Sequence, residues 1–220
     1  YINEMAALCE AYGANIDRVR RGMSADPRIG GMFLYPGLGY GGSCFPKDTR
    51  ACIAMGDSKG VPTPLSQAVH DVNLMQRTRF FAKITSQFGD DLSGLRLAFW
   101  GIAFKPNTDD IREAPAITLM KHCQNAGASC VAFDPVASGN CAQQNPGLCE
   151  VVGNMYDAIV DADAVVISTD WDEFKSPDFA RMKATMRTPV VFDGRNLYRV
   201  TTARGEGFIM HSVGRQTVGG

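Results

Sequence analysis

Apolar residues recur at helical spacing through the first 88 positions and in short β-branched runs thereafter. Ile2 to Leu8 reads as the middle of an apolar helix with no capping residue ahead of it, which suggests a cut chain. Asn15 suits the cap of a short helix carrying Ile16, Val19 and Met23, and Asp26-Pro27 ends it, because a residue before proline avoids the α region. A loop from Arg28 to Ser43 follows, with glycine at 30, 31, 37, 39, 41 and 42. Pro46 suits the first position of a helix carrying Thr49 to Met55, which puts Cys44 just before a helix N-terminus. Thr63-Pro64 opens a long helix whose apolar spacing, Leu65, Val69, Val72, Met75, Phe80, Ala82 and Ile84, runs up to Gly89.

From Leu95 onward the runs are Leu95 to Trp100, Ser129 to Phe133, Glu150 to Val152, Ala164 to Ser168, Pro189 to Phe192 and Phe208 to His211. Between the first two, Ile117, Met120 and Cys123 mark one face of a helix over Ala114 to Gly127, whose last residue suits a C-terminal cap. Strand and helix in alternation predict a parallel sheet wound by right-handed crossovers. The expected fold is therefore α/β. A helical central segment with a long helix, residues 1–88, precedes a Rossmann-like, doubly wound parallel sheet, residues 89–220, with the boundary near Gly89 to Gly94. No GxGxxG follows the first run, where Gly101-Ile-Ala-Phe-Lys stands instead, and this weakens any dinucleotide site on the sheet.

Composition narrows the classes. A hydrophobic share of 45% with 20% charged residues marks a globular chain. The longest apolar runs, Leu95 to Phe104 and Ala162 to Ser168, fall short of the roughly 18 residues a membrane span needs, so no membrane partner is expected. A net charge of -1 with both signs scattered offers no basic face to nucleic acid. Cys9, Cys44, Cys52, Cys123, Cys130, Cys141 and Cys149 form no CxxC pair, so neither a disulfide framework nor a metal site is expected. Most lie among apolar residues, as reduced thiols of a cytoplasmic protein do.

The candidate chemistry lies in Gly37-Leu-Gly-Tyr-Gly-Gly-Ser-Cys-Phe-Pro-Lys-Asp48. Its glycines permit positive φ and a close approach of backbone to a ligand. A sulfur at a helix mouth feels unpaired N–H groups, and Lys47 adds a formal charge, so a thiolate at Cys44 is favoured as a nucleophile. Asp48, four residues on, shares a helix face with Cys44 and suits the orientation of a water or the acceptance of a proton. Plainer readings stand beside these: a structural thiol, a solvated lysine, a first-turn acid answering the helix dipole.

Gly39-Tyr-Gly-Gly-Ser-Cys-Phe-Pro-Lys-Asp48 resembles, residue for residue, the catalytic-loop signature of UDP-glucose dehydrogenases, and Arg28-Ile-Gly30 and Phe33-Leu-Tyr-Pro-Gly37 match ahead of it. Gly101 to Glu113, Thr169-Asp-Trp-Asp-Glu-Phe174, Phe192-Asp-Gly-Arg195 and His211-Ser-Val-Gly-Arg215 also look like family landmarks, in family order. The resemblance implies a twofold, NAD-dependent oxidation of UDP-glucose to UDP-glucuronate through a cysteine thiohemiacetal and thioester. Cys44 is then the nucleophile and Asp48 the helper to the hydrolytic water. Phe33, Leu34, Tyr35, Gly41, Phe104, Lys105 and Arg195 are implied to bind UDP-sugar, Arg28 to reach a neighbouring subunit's site, and Arg112 and Lys47 to approach NAD. The main NAD domain is implied to lie upstream of this chain, and the long helix resembles the family's dimer-forming element; the plainer alternative is a helix burying its stripe within one chain. Kindred readings are a sister dehydrogenase of GDP-mannose or a UDP-N-acetylhexosamine, and a non-catalytic UDP-sugar-binding and dimerisation module.

Strand order offers a separate argument. In an open α/β sheet, ligands sit beyond the carboxyl ends of the strands, where the order reverses. Phe104-Lys105 follows the first predicted strand, Thr169-Asp170-Trp171 the fourth and Asp193-Gly194-Arg195 the fifth. Lys105 and Arg195 would then share one edge and offer a pyrophosphate a point charge and a bidentate fork.

Overall fold

The computed structural model describes residues 1–219. Four helices come first, α1 (Ile2–Ala11), α2 (Ile16–Ser24), α3 (Cys44–Lys59) and α4 (Pro64–Phe88). Six strands follow, β1 (Arg96–Trp100), β2 (Ser129–Phe133), β3 (Glu150–Val151), β4 (Ala164–Ile167), β5 (Val190–Asp193) and β6 (Ile209–Ser212). They pair in parallel in the order β3-β2-β1-β4-β5-β6. The order reverses between β1 and β4, so the sheet is doubly wound. Each run legible in the sequence became a strand within about a residue of its expected ends, as assignments of element ends generally allow.

Side chains alternate across the pleat, and this sorts the core into two layers. Leu97 and Phe99 of β1 face one side, where α5 (Pro115–Asn125) supplies Leu119, Met120 and Cys123, α4 supplies Phe80 and Ile84, and α1 supplies Ile2, Ala6 and Cys9. Ala98 and Trp100 face the other side and meet Met155 and Ala158 of α7 (Met155–Ala158) and Met182 of α8 (Phe179–Thr185). Trp100 stacks on Phe174 at 5.5 Å and donates its indole N–H to the Met155 carbonyl at 2.8 Å, which satisfies the one polar atom it buries. The two remaining short helices, α6 (Ser138–Gln144) and α9 (Val200–Gly205), complete the crossovers. The first apolar cluster is continuous from Ile16 and Leu38 through Phe80 into Phe192, so the helical segment is seated directly on the sheet.

Two readings of the helices need correction. The helix expected to begin at Pro46 begins at Cys44, with Ser43 as its cap residue. Pro46 sits inside the first turn, where amides have no intrahelical acceptor and a missing N–H costs nothing. Of the apolar positions expected to line α4, Phe80 and Ile84 alone are buried, and Ala82 between them is exposed. Leu65 is 79% exposed and Met75 45% exposed, while the buried positions of the helix's middle are Asn73, Gln76 and Arg77. Asn15 does cap α2, accepting the Asp17 amide at 2.8 Å.

Candidate active site

The carboxyl edge of the sheet is tied shut at the reversal point. Gly101 leaves β1 at φ +95°, and a Cβ there would collide with the Thr169 side chain that follows β4. Thr169 in turn donates its hydroxyl to the Ala103 carbonyl at 2.6 Å. Asp134, at the end of β2 and buried, accepts the Ile102 and Ala103 amides at 2.7 and 3.0 Å, the Trp171 indole N–H at 3.1 Å, and the Val136 and Ala137 amides at 3.0 and 2.8 Å. Dinucleotide-binding sheets present a free carboxylate and a glycine-rich turn opening straight into a helix at this edge. Here the carboxylate is consumed within the chain, and β1 runs into the loop 101–114 before α5 begins. The edge therefore does not fit a dinucleotide.

Upon this edge lies the glycine-rich loop, residues 37–43. Leu38 is fully buried against Gly194 after β5, where a Cβ would come within 2.6 Å of its side chain. A Cβ on Gly37 would lie 3.6 Å from Nη1 of Arg195. Further along, a Cβ on Gly42, at φ +84°, would stand 2.8 Å from the Phe104 ring, and one on Gly41 would strike the Glu113 carbonyl. The Gly42 amide donates to the Arg112 carbonyl at 2.8 Å. The glycines are thus required by contact with the chain's own residues, a role the sequence alone had given to a ligand.

Polar residues of α4 hold this loop from behind. Asn73 accepts the Tyr40 amide at 2.7 Å and donates to the Tyr40 carbonyl at 3.1 Å. Gln76 donates to the Gly37 carbonyl at 2.8 Å. Arg77 donates from Nη2 to the Tyr40 and Glu113 carbonyls at 3.2 and 3.0 Å, and from Nη1 to the Thr118 hydroxyl at 3.0 Å. Burial pulls the Arg77 guanidinium below its usual range, and the Glu113 and Tyr40 side chains oppose the shift. Sequence reasoning missed all three. The signal was present as polar residues at i, i+3 and i+4, in line with Phe80 and Ile84 on the one buried face of the helix.

Cys44 is the first residue of α3, and its sulfur is exposed beside the Ser43 hydroxyl at 3.7 Å. Cys52 is also exposed and Cys149 half-buried, whereas Cys9, Cys123, Cys130 and Cys141 are buried, and burial pushes the Cys130 thiol up to about 12. Arg112 is exposed and forks onto Asp110 at 2.9 and 2.8 Å, and this hydrogen-bonded carboxylate raises its guanidinium above the usual range. Asp48 and Lys47 form an exposed ion pair at 3.2 Å on the same helix. Lys105 lies 5.3 Å over the Phe104 ring. Arg195 is paired with Asp170, from Nε at 3.0 Å and from Nη2 at 2.5 Å.

The structure brings Cys44, Gly41, Phe104 and Arg112 into one neighbourhood, with Arg195 at the far end of the same loop. It does not bring Arg28 there: that side chain is exposed and bound to Asp26 at 2.6 Å. Phe33 is 94% exposed at φ +62°, Tyr35 is exposed beneath the Arg20 guanidinium at 3.7 Å, and Leu34 packs partly on the core.

A model of the central domain of the UDP-glucose/GDP-mannose dehydrogenase family matches residues 1–75, and one of the same family's UDP binding domain matches residues 98–200. The chain belongs to this family. It is 41% identical to a UDP-glucose 6-dehydrogenase of Pseudomonas aeruginosa over 100% of its length and 49% of that protein's. A UDP-glucose dehydrogenase from Pyrobaculum islandicum superposes with a TM-score of 0.81 at 32% identity, covering 89% of this chain and 44% of that one. An NDP-N-acetyl-D-galactosaminuronic acid dehydrogenase from Methanosarcina mazei gives 0.83 at 28% identity, covering 98% and 47%. The chain spans about half the length of the curated relatives it matches. The match to the UDP binding domain runs from within β1 past the end of β5. Among the described residues, no helix is long and apolar enough to cross a membrane.

Proposed function

We propose that this chain is the UDP-sugar-binding and cysteine-bearing part of an NAD-dependent UDP-glucose 6-dehydrogenase, with residues 1–88 as its central domain and 89–220 as its UDP-sugar domain. NAD, when bound, is the hydride acceptor for both oxidations. Because the sheet edge does not fit a dinucleotide, these residues contribute to its binding only through Arg112 and Lys47.

The observation that carries the reading is the placement of Cys44: an exposed sulfur at a helix N-terminus, on the loop that caps the sheet's carboxyl edge. Such a sulfur is accessible, and it stands where the unpaired amides of the first turn of α3 are directed. The Cys44 thiolate adds to the C6 aldehyde of the once-oxidised sugar, a C–S bond forms, and the carbonyl oxygen takes up a proton to give a thiohemiacetal. The second oxidation removes hydride and a proton and leaves a thioester. Water then adds at the thioester carbonyl, the C–S bond breaks, and the carboxylate departs as the thiolate returns. Asp48, one turn along α3, orients that water and accepts its proton.

Arg195 and Lys105 bind the diphosphate, with Phe104, Gly41, Leu34, Tyr35 and Phe33 around the nucleotide sugar. Arg28, exposed and bound to Asp26, reaches the site of a neighbouring subunit. The exposed Leu65, Leu74 and Met75 make α4 the surface on which two copies associate.

Titration calorimetry on this chain tests the division of labour. UDP-glucose is expected to give binding heat and NAD none; strong NAD binding to these residues contradicts it. Turnover of UDP-glucose, GDP-mannose and a UDP-N-acetylhexosamine by the full-length enzyme tests the sugar, with UDP-glucose expected to be preferred.

A further inference from the structure

We propose that Arg77, assisted by Asn73, is a positioning residue for Cys44: it sets the distance between the cysteine loop and the Phe104–Glu113 segment and so decides where the sulfur stands relative to the bound sugar. The proposal rests on the assignment of Cys44 as nucleophile.

Arg77 is 5% exposed, and its Nε has no hydrogen-bond partner among the described residues. An apolar side chain at this helix position would avoid the desolvation of a guanidinium, so packing alone does not account for an arginine here. What the guanidinium does is join two segments. Its Nη2 reaches the Tyr40 carbonyl on one side and the Glu113 carbonyl on the other, at 3.2 and 3.0 Å. Tyr40 lies four residues before Cys44, and Glu113 follows Arg112, whose carbonyl receives the Gly42 amide. Glu113 is itself held at φ +52°, a conformation that L side chains rarely adopt. Its carboxylate faces Arg77 Nη1 at 3.8 Å and Arg50 of the cysteine helix at 3.3 Å. One buried fork therefore links α4, the loop before Cys44, the segment bearing Phe104 and, through Glu113, the helix that Cys44 begins. Asn73 copies a strand partner for Tyr40, one N–H accepted and one donated, and fixes the loop from the same helix.

A lysine keeps the charge and three N–H groups but gathers them on one nitrogen, so it cannot hold both carbonyls and the Thr118 hydroxyl in the geometry that the two guanidinium nitrogens fix. The test uses the full-length enzyme with Arg77→Lys and Asn73→Ser, measuring kcat and KM for UDP-glucose, the Kd of UDP, the thermal midpoint, and the rate at which iodoacetamide alkylates Cys44. In Arg77→Lys, kcat is expected to fall roughly tenfold to a hundredfold, since small displacements of a reacting group weigh heavily on rate. The Kd of UDP should change by less than about threefold, because Arg195, which shares the diphosphate with Lys105, stands at the other end of the loop. Alkylation of Cys44 should shift in rate with the kcat loss, and Asn73→Ser should show the same split more weakly. Unchanged kcat and alkylation in a folded Arg77→Lys enzyme overturn the proposal, and so does a parallel loss of kcat, UDP binding and thermal midpoint in both variants, which marks a merely structural role. If Arg77→Lys does not fold, Asn73→Ser alone decides by the same criteria. Cys44→Ser run alongside separates the two readings: normal turnover there removes the nucleophile assignment itself, whatever Arg77 does.

Discussion

Arg195 places both Nε and Nη2 on a single carboxylate oxygen of Asp170, at 3.0 and 2.5 Å, at the reversal point of the sheet. The fork proposed to hold a diphosphate thus already has an anionic partner. Replacing Asp170 by Asn should free the guanidinium and remove a negative charge facing the ligand, so UDP should bind more tightly. Arg195→Ala should weaken binding by about 2 kcal/mol, the loss of a charged hydrogen-bonded contact. Calorimetry with UDP reads both; weaker binding by Asp170→Asn means the carboxylate orients the arginine instead of competing for it.

Gly42→Ala is expected to damage turnover more than stability. The substitution asks an L side chain to adopt φ +84° and sets its Cβ 2.8 Å from the Phe104 ring, which can turn aside only by moving in the site. Thermal denaturation should show a loss of about 1–3 kcal/mol. The accompanying fall in kcat should exceed what the unfolded fraction explains, and proportional losses contradict the placement of this contact beside the sulfur.

Much of the fold was legible because strands and crossovers announce themselves locally. Val165 and Val166 are both buried, as they must be in a central parallel strand with helices on either side, and the sequence shows this as an unbroken apolar run. Cys44 stood out by its glycines and by Pro46. What stayed hidden was set by partners distant in sequence. Asn73 and Arg77 look like solvent-facing residues until the loop 37–42 is laid across them. Asp134 drew no reading from the sequence, because the five N–H groups that close on it come from segments scattered along the chain. The middle of α4 was misread for the same reason: Leu65 and Met75 have helical spacing, yet the cluster under that helix begins only at Phe80.

Acid should destabilise the protein through His211. Burial, with Lys83 nearby, pulls this imidazole down to about 4 from an ordinary 6.5, and it stacks on Phe192 while Gln87 and Thr217 engage its two nitrogens at 2.9 and 3.2 Å. The folded state holds the neutral ring, so the unfolded chain binds the extra proton between those two values. The stabilisation is therefore present above pH 6.5 and lost as pH falls towards 4. Its full size is about 3 kcal/mol. Thermal midpoints across this window should fall in the parent and fall less in His211→Gln; identical slopes contradict the assignment.

The exposed apolar side of α4 gives a test of association. Leu65→Glu with Met75→Glu should shift the sedimentation of the full-length enzyme to smaller species while leaving UDP binding within about twofold, since both side chains are exposed. An unchanged sedimentation profile removes this helix face from the interface.

The covalent role of Cys44 is tested most directly by the rate of UDP-glucuronate formation in the full-length Cys44→Ser enzyme. A serine hydroxyl keeps the shape but not the thiolate, and the rate should fall by roughly a thousandfold or more while UDP-glucose still binds. Formation of UDP-glucuronate at the parent rate contradicts the covalent scheme.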